Sequence, residues 1–172
     1  MSRTEGFLAL CSVSAILALG MSSQACFGAA VPVLRTPESS PSPRINGPLV
    51  YGARPGHPFL YRIPCTGMRP MHFSAAGLPP SLALDEASGI ISGSAPTAAG
   101  NFPMTLKAAN AQGQVTRLFT IVVGNKLGLT PQMGWNGWYT LYERPTDLDI
   151  RRAADAMIAS RMADYGYQFI DI

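Results

Sequence analysis

The chain reads as a β-sandwich followed by a strand–helix–strand unit. Three observations predict this. Residues 45–124 hold a series of short apolar runs separated by Gly- and Pro-containing turns, as in an all-β sandwich. Gly (17) and Pro (15) are abundant in 172 residues, which favours turn-rich β structure over a helical bundle. After residue 145 the apolar period changes to that of a helix, and a last short apolar run closes the chain.

The sandwich strands are expected at Pro48–Tyr51, Phe59–Ile63, Met71–Ala75, Ile90–Gly93, Phe102–Ala108 and Thr116–Val123. Turns fall at Arg54-Pro55-Gly56, Thr66-Gly67, Leu78-Pro79-Pro80-Ser81, Ala99-Gly100-Asn101 and Asn110-Ala111-Gln112-Gly113. In the last strand Leu118, Ile121 and Val123 mix alternating and continuous apolar positions, so the strand is expected to be well buried. Gly77, Gly89, Gly93 and Gly100 stand at strand ends, where positive φ is most often required.

Ahead of the sandwich lie two segments without a core. Residues 1–30 read as an export signal: Arg3 gives a weak positive start and Phe7 to Met21 an apolar run, short for a membrane span. Gly28-Ala29-Ala30 offers a cleavage site after Ala30. Ser23-Gln24-Ala25 before Cys26 is a rival site and faintly resembles a lipoprotein box, with Ser23 in place of Leu. An uncleaved anchor helix is a third reading. The product is expected outside the cytoplasm, secreted or periplasmic. Residues 31–44, with four prolines and three serines, read as an extended linker.

Several function classes are excluded or disfavoured. Net charge is +3, without a basic stripe, so no nucleic-acid partner is inferred. No membrane contact is expected beyond a lipid anchor at Cys26. After cleavage Cys65 stands alone, and with no adjacent His or cationic cluster it reads as an inert, half-buried strand-end thiol. Asp85-Glu86 reads as a solvated turn, because two adjacent carboxylates do not make a calcium cage. His57 and His72 have no ligand-spaced partner and read as structural or surface residues. No cofactor or metal is called for, and the oligomeric state stays open.

Two stretches resemble known families. Phe73 to Phe102, with Gly77-Leu78-Pro79-Pro80-Ser81-Leu82, Gly89-Ile90-Ile91-Ser92-Gly93-Ser94-Ala95-Pro96 and Gly100-Asn101-Phe102, resembles the immunoglobulin-like domain of secreted bacterial proteins, related to cadherin-like domains. Ser81 stands where that family prefers Gly, and Phe102 where it often has Tyr. The resemblance implies an immunoglobulin-like sandwich over residues 45–124.

Thr130-Pro131-Gln132-Met133-Gly134-Trp135-Asn136-Gly137-Trp138 resembles the opening strand of family 27 glycoside hydrolases, which act on α-galactosides and α-N-acetylgalactosaminides. Gln132, Gly137 and Tyr139 depart from the family pattern, the last two at the pocket wall. Thr146-Asp147-Leu148-Asp149 is close to a capping box. Ile150, Ala153, Ala154, Met157 and Ile158 lie on one helical face, Gly166 is expected to end the helix, and Tyr167–Ile172 reads as a parallel strand. The resemblance therefore implies that residues 127–172 are the first βαβ unit of a truncated (β/α)8 barrel, which needs ~250 residues.

That family hydrolyses with retention, using two Asp carboxylates on later strands, so no catalytic residue is expected in this chain. The family's Asp-Asp pair that holds sugar hydroxyls would follow directly after Ile172. Trp138 alone matches a sugar-contacting position, as an apolar wall for an α-galactoside. Core packing is its other reading, and is the reading for Trp135. The function expected is that of an N-terminal fragment of a secreted retaining glycosidase, inactive alone. The alternative is an extracellular immunoglobulin-like binding or adhesion module. On either reading residues 45–124 are expected to fold alone, and residues 127–172 to leave their edges and apolar faces unpacked.

Overall fold

A computed structural model describes residues 39–171. The signal, Cys11, Cys26, most of the linker and Ile172 lie outside the described residues. The sandwich is built from β1 (Arg44–Ile45), β2 (Val50–Ala53), β3 (Pro58–Arg62), β4 (Cys65–Thr66), β5 (His72–Ala76), β6 (Leu82–Asp85), β7 (Ile90–Ser94), β8 (Gly100–Asn110) and β9 (Gly113–Val123). One sheet has the order β2-β9-β8-β5 and the facing sheet the order β3-β7-β6, while β1 and β4 form a small ladder of their own. All these pairings are antiparallel except β2–β9, which is parallel.

The long hairpin β8–β9 is the spine, in register from Gly100↔Val123 to Asn110↔Gly113. Alternation along it places Met104, Leu106 and Ala108 on the same face as Phe119, Ile121 and Val123, all buried. Leu118 is the corrected residue: it is 74% exposed, because strand parity turns it outward when Phe119 turns in. Pro103 is tolerated inside β8 for a local reason. Its register partner Thr120 donates its own N–H to Leu49 O (2.9 Å) on the far side, and β5 stops opposite Thr105, so the missing proline N–H costs no ladder bond.

The other sheet closes the core with Phe59, Tyr61, Leu82 and Ile91. Tyr61 stacks on Phe119 with ring centroids 4.6 Å apart. Cys65 is fully buried rather than half-buried, and burial pushes its thiol pKa up, which keeps it protonated and unreactive. Strands β1, β4 and β6 were not expected. The first two have two residues each, too few for a period, and β6 follows two prolines that mask it. Gly93, with φ +136, shows why a glycine is needed there: a Cβ would lie 2.4 Å from Ser81 O.

The linker side also joins the sandwich. Pro41 O accepts from Met68 N (2.9 Å) and from Asn110 Nδ2 (2.9 Å), and Pro43 is buried, so the module takes hold of the chain before residue 45.

After β9 the chain runs through Leu127–Gln132 into β10 (Gly134–Asn136), a short helix α1 (Trp138–Leu141), helix α2 (Asp147–Ala159), a 3₁₀ turn (Met162–Tyr165) and β11 (Phe169–Asp171). Strands β10 and β11 are parallel neighbours, Gly134 facing Phe169 and Asn136 facing Asp171. The expected capping box forms: Thr146 Oγ1 accepts from Asp149 N (3.2 Å), and Asp149 Oδ2 accepts from Thr146 N (3.2 Å). Gly166 ends the 3₁₀ turn, not α2, which is capped at Ser160. Of the predicted helical face only Met157 is buried in α2, and Ile158 is exposed.

The segment does not hang free as expected. It belongs to the same compact unit as the sandwich and is held there by a buried polar cluster.

Candidate functional site

Two places in the described residues have the character of a site. The first is the carboxyl end of the β10–β11 pair. Asn136 and Asp171 are register partners there, and the turn after β10 is fixed by two hydrogen bonds. Gly137 N donates to Asp171 O (3.1 Å), and Trp138 N donates to Asn136 Oδ1 (2.9 Å). Gly137 is buried in this turn, and a Cβ on it would lie 3.3 Å from both Asp171 O and the Trp135 ring. Gly137 therefore sits where the two strand ends crowd each other.

Trp138 is the first residue of α1, beyond the strand rather than in it, and is 56% exposed. Its ring meets Tyr142 edge-on, with centroids 6.4 Å apart. Trp135, the middle residue of β10, is half-buried. The arrangement offers an open aromatic face beside a strand end. It holds no pair of facing carboxylates for acid–base or nucleophilic work. Among the described residues no group of three or more His, Cys, Asp or Glu side chains is arranged for a metal.

The second place is a cleft of about 310 Å³ at the opposite, amino-terminal end of the same strands. Tyr51 and Gly52 of β2 form one wall, and Leu127, Met133, Gln168 and Phe169 the other. Its lining contains no carboxylate, histidine or cysteine. Gln168 is already engaged, donating through Nε2 to Arg62 O (2.7 Å).

Close to this cleft lies the feature that sequence reasoning missed. Asp164, in the 3₁₀ turn, has a side chain only 5% exposed. Its Oδ1 accepts from Arg62 Nη2 (2.7 Å) and from Arg69 Nη2 (3.0 Å), and its Oδ2 from Arg161 Nε (3.2 Å). Burial pushes its pKa up, but the Arg62 hydrogen bond, with Arg69 and Arg161, outweighs it and holds the carboxyl below the usual range. No local signal marks it, since its sandwich partners lie roughly a hundred residues away and only folding brings them together.

The remaining candidates behave as surface groups. His57 and His72 are exposed. Asp85 Oδ1 accepts from Ala87 N (3.0 Å) and Ser88 N (2.8 Å), an Asx turn that lowers its pKa chiefly through the Ser88 backbone. No helix among the described residues is long and apolar enough to cross a membrane.

Known proteins match both parts. Residues 42–124 match the family model He_PIG, described as "Putative Ig domain". A crystal structure of a "putative alpha-galactosidase" from Bacteroides fragilis NCTC 9343 is 45% identical, with a TM-score of 0.71, over 81% of this chain and 29% of that one. A "putative alpha-galactosidase/melibiase" from the same organism is 42% identical, with a TM-score of 0.71, over 76% and 28%. Both matches exceed what the module alone could supply. The alpha-galactosidase of Oryza sativa subsp. japonica is 39% identical over 75 residues, 44% of this chain and 18% of its own length. Alpha-galactosidase A of Cellvibrio japonicus is 47% identical over 47 residues, 27% and 12%. The chain thus spans less than a third of each of these relatives. It carries an immunoglobulin-like module at residues 42–124 and is homologous, over part of the relatives' length, to α-galactosidases.

Proposed function

We propose that this chain is the amino-terminal part of a secreted retaining glycosidase that hydrolyses terminal α-galactosides or α-N-acetylgalactosaminides. Residues 127–172 are then the first βαβ unit of a (β/α)8 barrel. One observation carries the reading: a parallel β10–β11 pair, joined through helix α2, directly follows an immunoglobulin-like module in a chain of which 81% matches a "putative alpha-galactosidase" at 45% identity. In such a barrel substrate groups gather at the carboxyl ends of the strands. Asn136, Gly137, Trp138 and Asp171 occupy that end here. Trp138 would cover the apolar face of a galactose. The nucleophile and the acid/base would come from later strands of the barrel.

The coding frame past codon 172 tests this reading. It should continue with an Asp-Asp pair, and the expressed product should release the aglycone from an aryl α-galactoside but not from the β-anomer. A frame without that pair, or a folded product without turnover, would leave an extracellular binding module as the better description.

A further inference from the structure

We infer that the immunoglobulin-like module is a clamp whose ligand is its own chain: a socket on the sandwich grips the segment Arg161–Gln168, with the Asp164 carboxylate as the group it recognises. The inference concerns the module's role and needs no catalytic activity.

The socket is built from the sandwich side. Arg62 ends β3 and Arg69 follows β4, and both guanidiniums converge on the same oxygen, Asp164 Oδ1. Among the described residues the ion pairs of Arg62 and Arg69 are both with Asp164. Without that carboxylate two like charges would face each other at one sandwich edge. With it, a buried anion that would otherwise stand uncompensated is matched by three guanidiniums. The charged and titratable groups facing Asp164 are Arg62, Arg69, Arg161 and, through space, the buried neutral Cys65 thiol.

Four further bonds hold the backbone around the carboxylate. Asn46 Nδ2 donates to Asp164 O (2.9 Å), and Gln168 Nε2 donates to Arg62 O (2.7 Å). Arg161 Nη2 donates to Gly67 O (3.4 Å), and Arg69 Nη2 to Cys65 O (3.2 Å). The backbones themselves touch: a Cβ on Gly166 would lie 3.0 Å from Gly47 Cα, and Gly166 has φ +106. Among the described residues no buried side-chain polar atom is left without a partner. Such a satisfied network fixes one arrangement rather than a sliding contact.

Position gives the clamp its role. The gripped segment enters β11 at its amino-terminal end, and the grip leaves the carboxyl ends at Asn136 and Asp171 untouched. The module therefore positions the first two strands from behind and does not contact a ligand bound at their open ends.

Tryptic digestion of the 172-residue chain tests the clamp, comparing the parent with Asp164→Asn and Arg69→Ala. Segment sites are Lys126, Arg151 and Arg152; sandwich sites are Lys107 and Arg117. Asp164→Asn should speed segment cleavage roughly tenfold or more, because local opening limits it, while sandwich cleavage stays unchanged. Arg69→Ala should do the same to a smaller extent, and it decides the matter if Asp164→Asn does not accumulate folded. Unchanged segment cleavage overturns the clamp, as does equal acceleration at Lys107 and Arg117. Neither result bears on α-galactoside turnover, which the digestion does not read.

Discussion

Asp164 Oδ1 lies 2.7 Å from Arg62 Nη2, a contact that joins the carboxyl-terminal segment to the sandwich across 102 residues of chain. It turns two regions expected to be independent into one unit.

Docking of the segment should be lost in acid. Asp164 has a folded-state pKa below the ordinary carboxylate value of ~3.9. A depressed carboxyl stabilises the folded state fully above its unfolded pKa, and the gain disappears as pH falls through the folded value. Both tryptophans of the chain, Trp135 and Trp138, lie in the segment, so their fluorescence reports on it selectively. The parent should hold its signal from pH 7 to about pH 5 and change below about pH 4. Asp164→Asn should show no change in that window beyond the one common to other carboxylates. An identical acid transition in both proteins would remove Asp164 as the titrating group.

Gly93→Ala should destabilise the sandwich by about 1–3 kcal/mol. The residue would have to adopt φ +136 and place its Cβ 2.4 Å from Ser81 O, forcing β6 and β7 apart where Gly93 pairs with Leu82. Urea unfolding should show a lower midpoint with an unchanged slope.

Thr146→Ala should cost about 0.5–2 kcal/mol, confined to helix α2. It removes the hydroxyl that accepts from Asp149 N and so opens the capping box. Hydrogen exchange should quicken in Asp147–Ile150 and remain unchanged in β8 and β9. Faster exchange in the hairpin would show the cap acting on the whole unit.

Residues 1–172 alone should not turn over an aryl α-galactoside. Retaining hydrolysis needs a nucleophile and an acid/base about 5–5.5 Å apart, and the strand end described here offers no such pair. Turnover above a buffer blank would overturn the assignment of chemistry to later strands.

In an active longer form, Trp138→Ala should raise KM for an α-galactoside and lower kcat/KM by about 1–3 kcal/mol in transition-state terms. The fold should survive, because Trp138 is 56% exposed and its ring meets Tyr142 edge-on. Unchanged kinetics in the folded variant would return Trp138 to a packing role.

The sequence alone determined the local features. Alternation placed the strands of the β8–β9 hairpin, the glycines at 77, 89, 93 and 100 all adopt positive φ, and the Thr146–Asp149 capping box forms as spaced. Each depends on residues within a few positions of each other, where period and turn chemistry are strong. The short stretches resembling an immunoglobulin-like domain and an α-galactosidase strand were legible for the same reason. What only the tertiary structure decided involves distant partners. Leu118 faces out because its neighbours' parity on a completed sheet leaves it no core to join. Strands β1 and β4 exist only as each other's partner. The Asp164 socket needs Arg62 and Arg69 to arrive from the sandwich, 102 and 95 residues away, and no pattern of charge along the sequence records a meeting that burial and folding alone bring about.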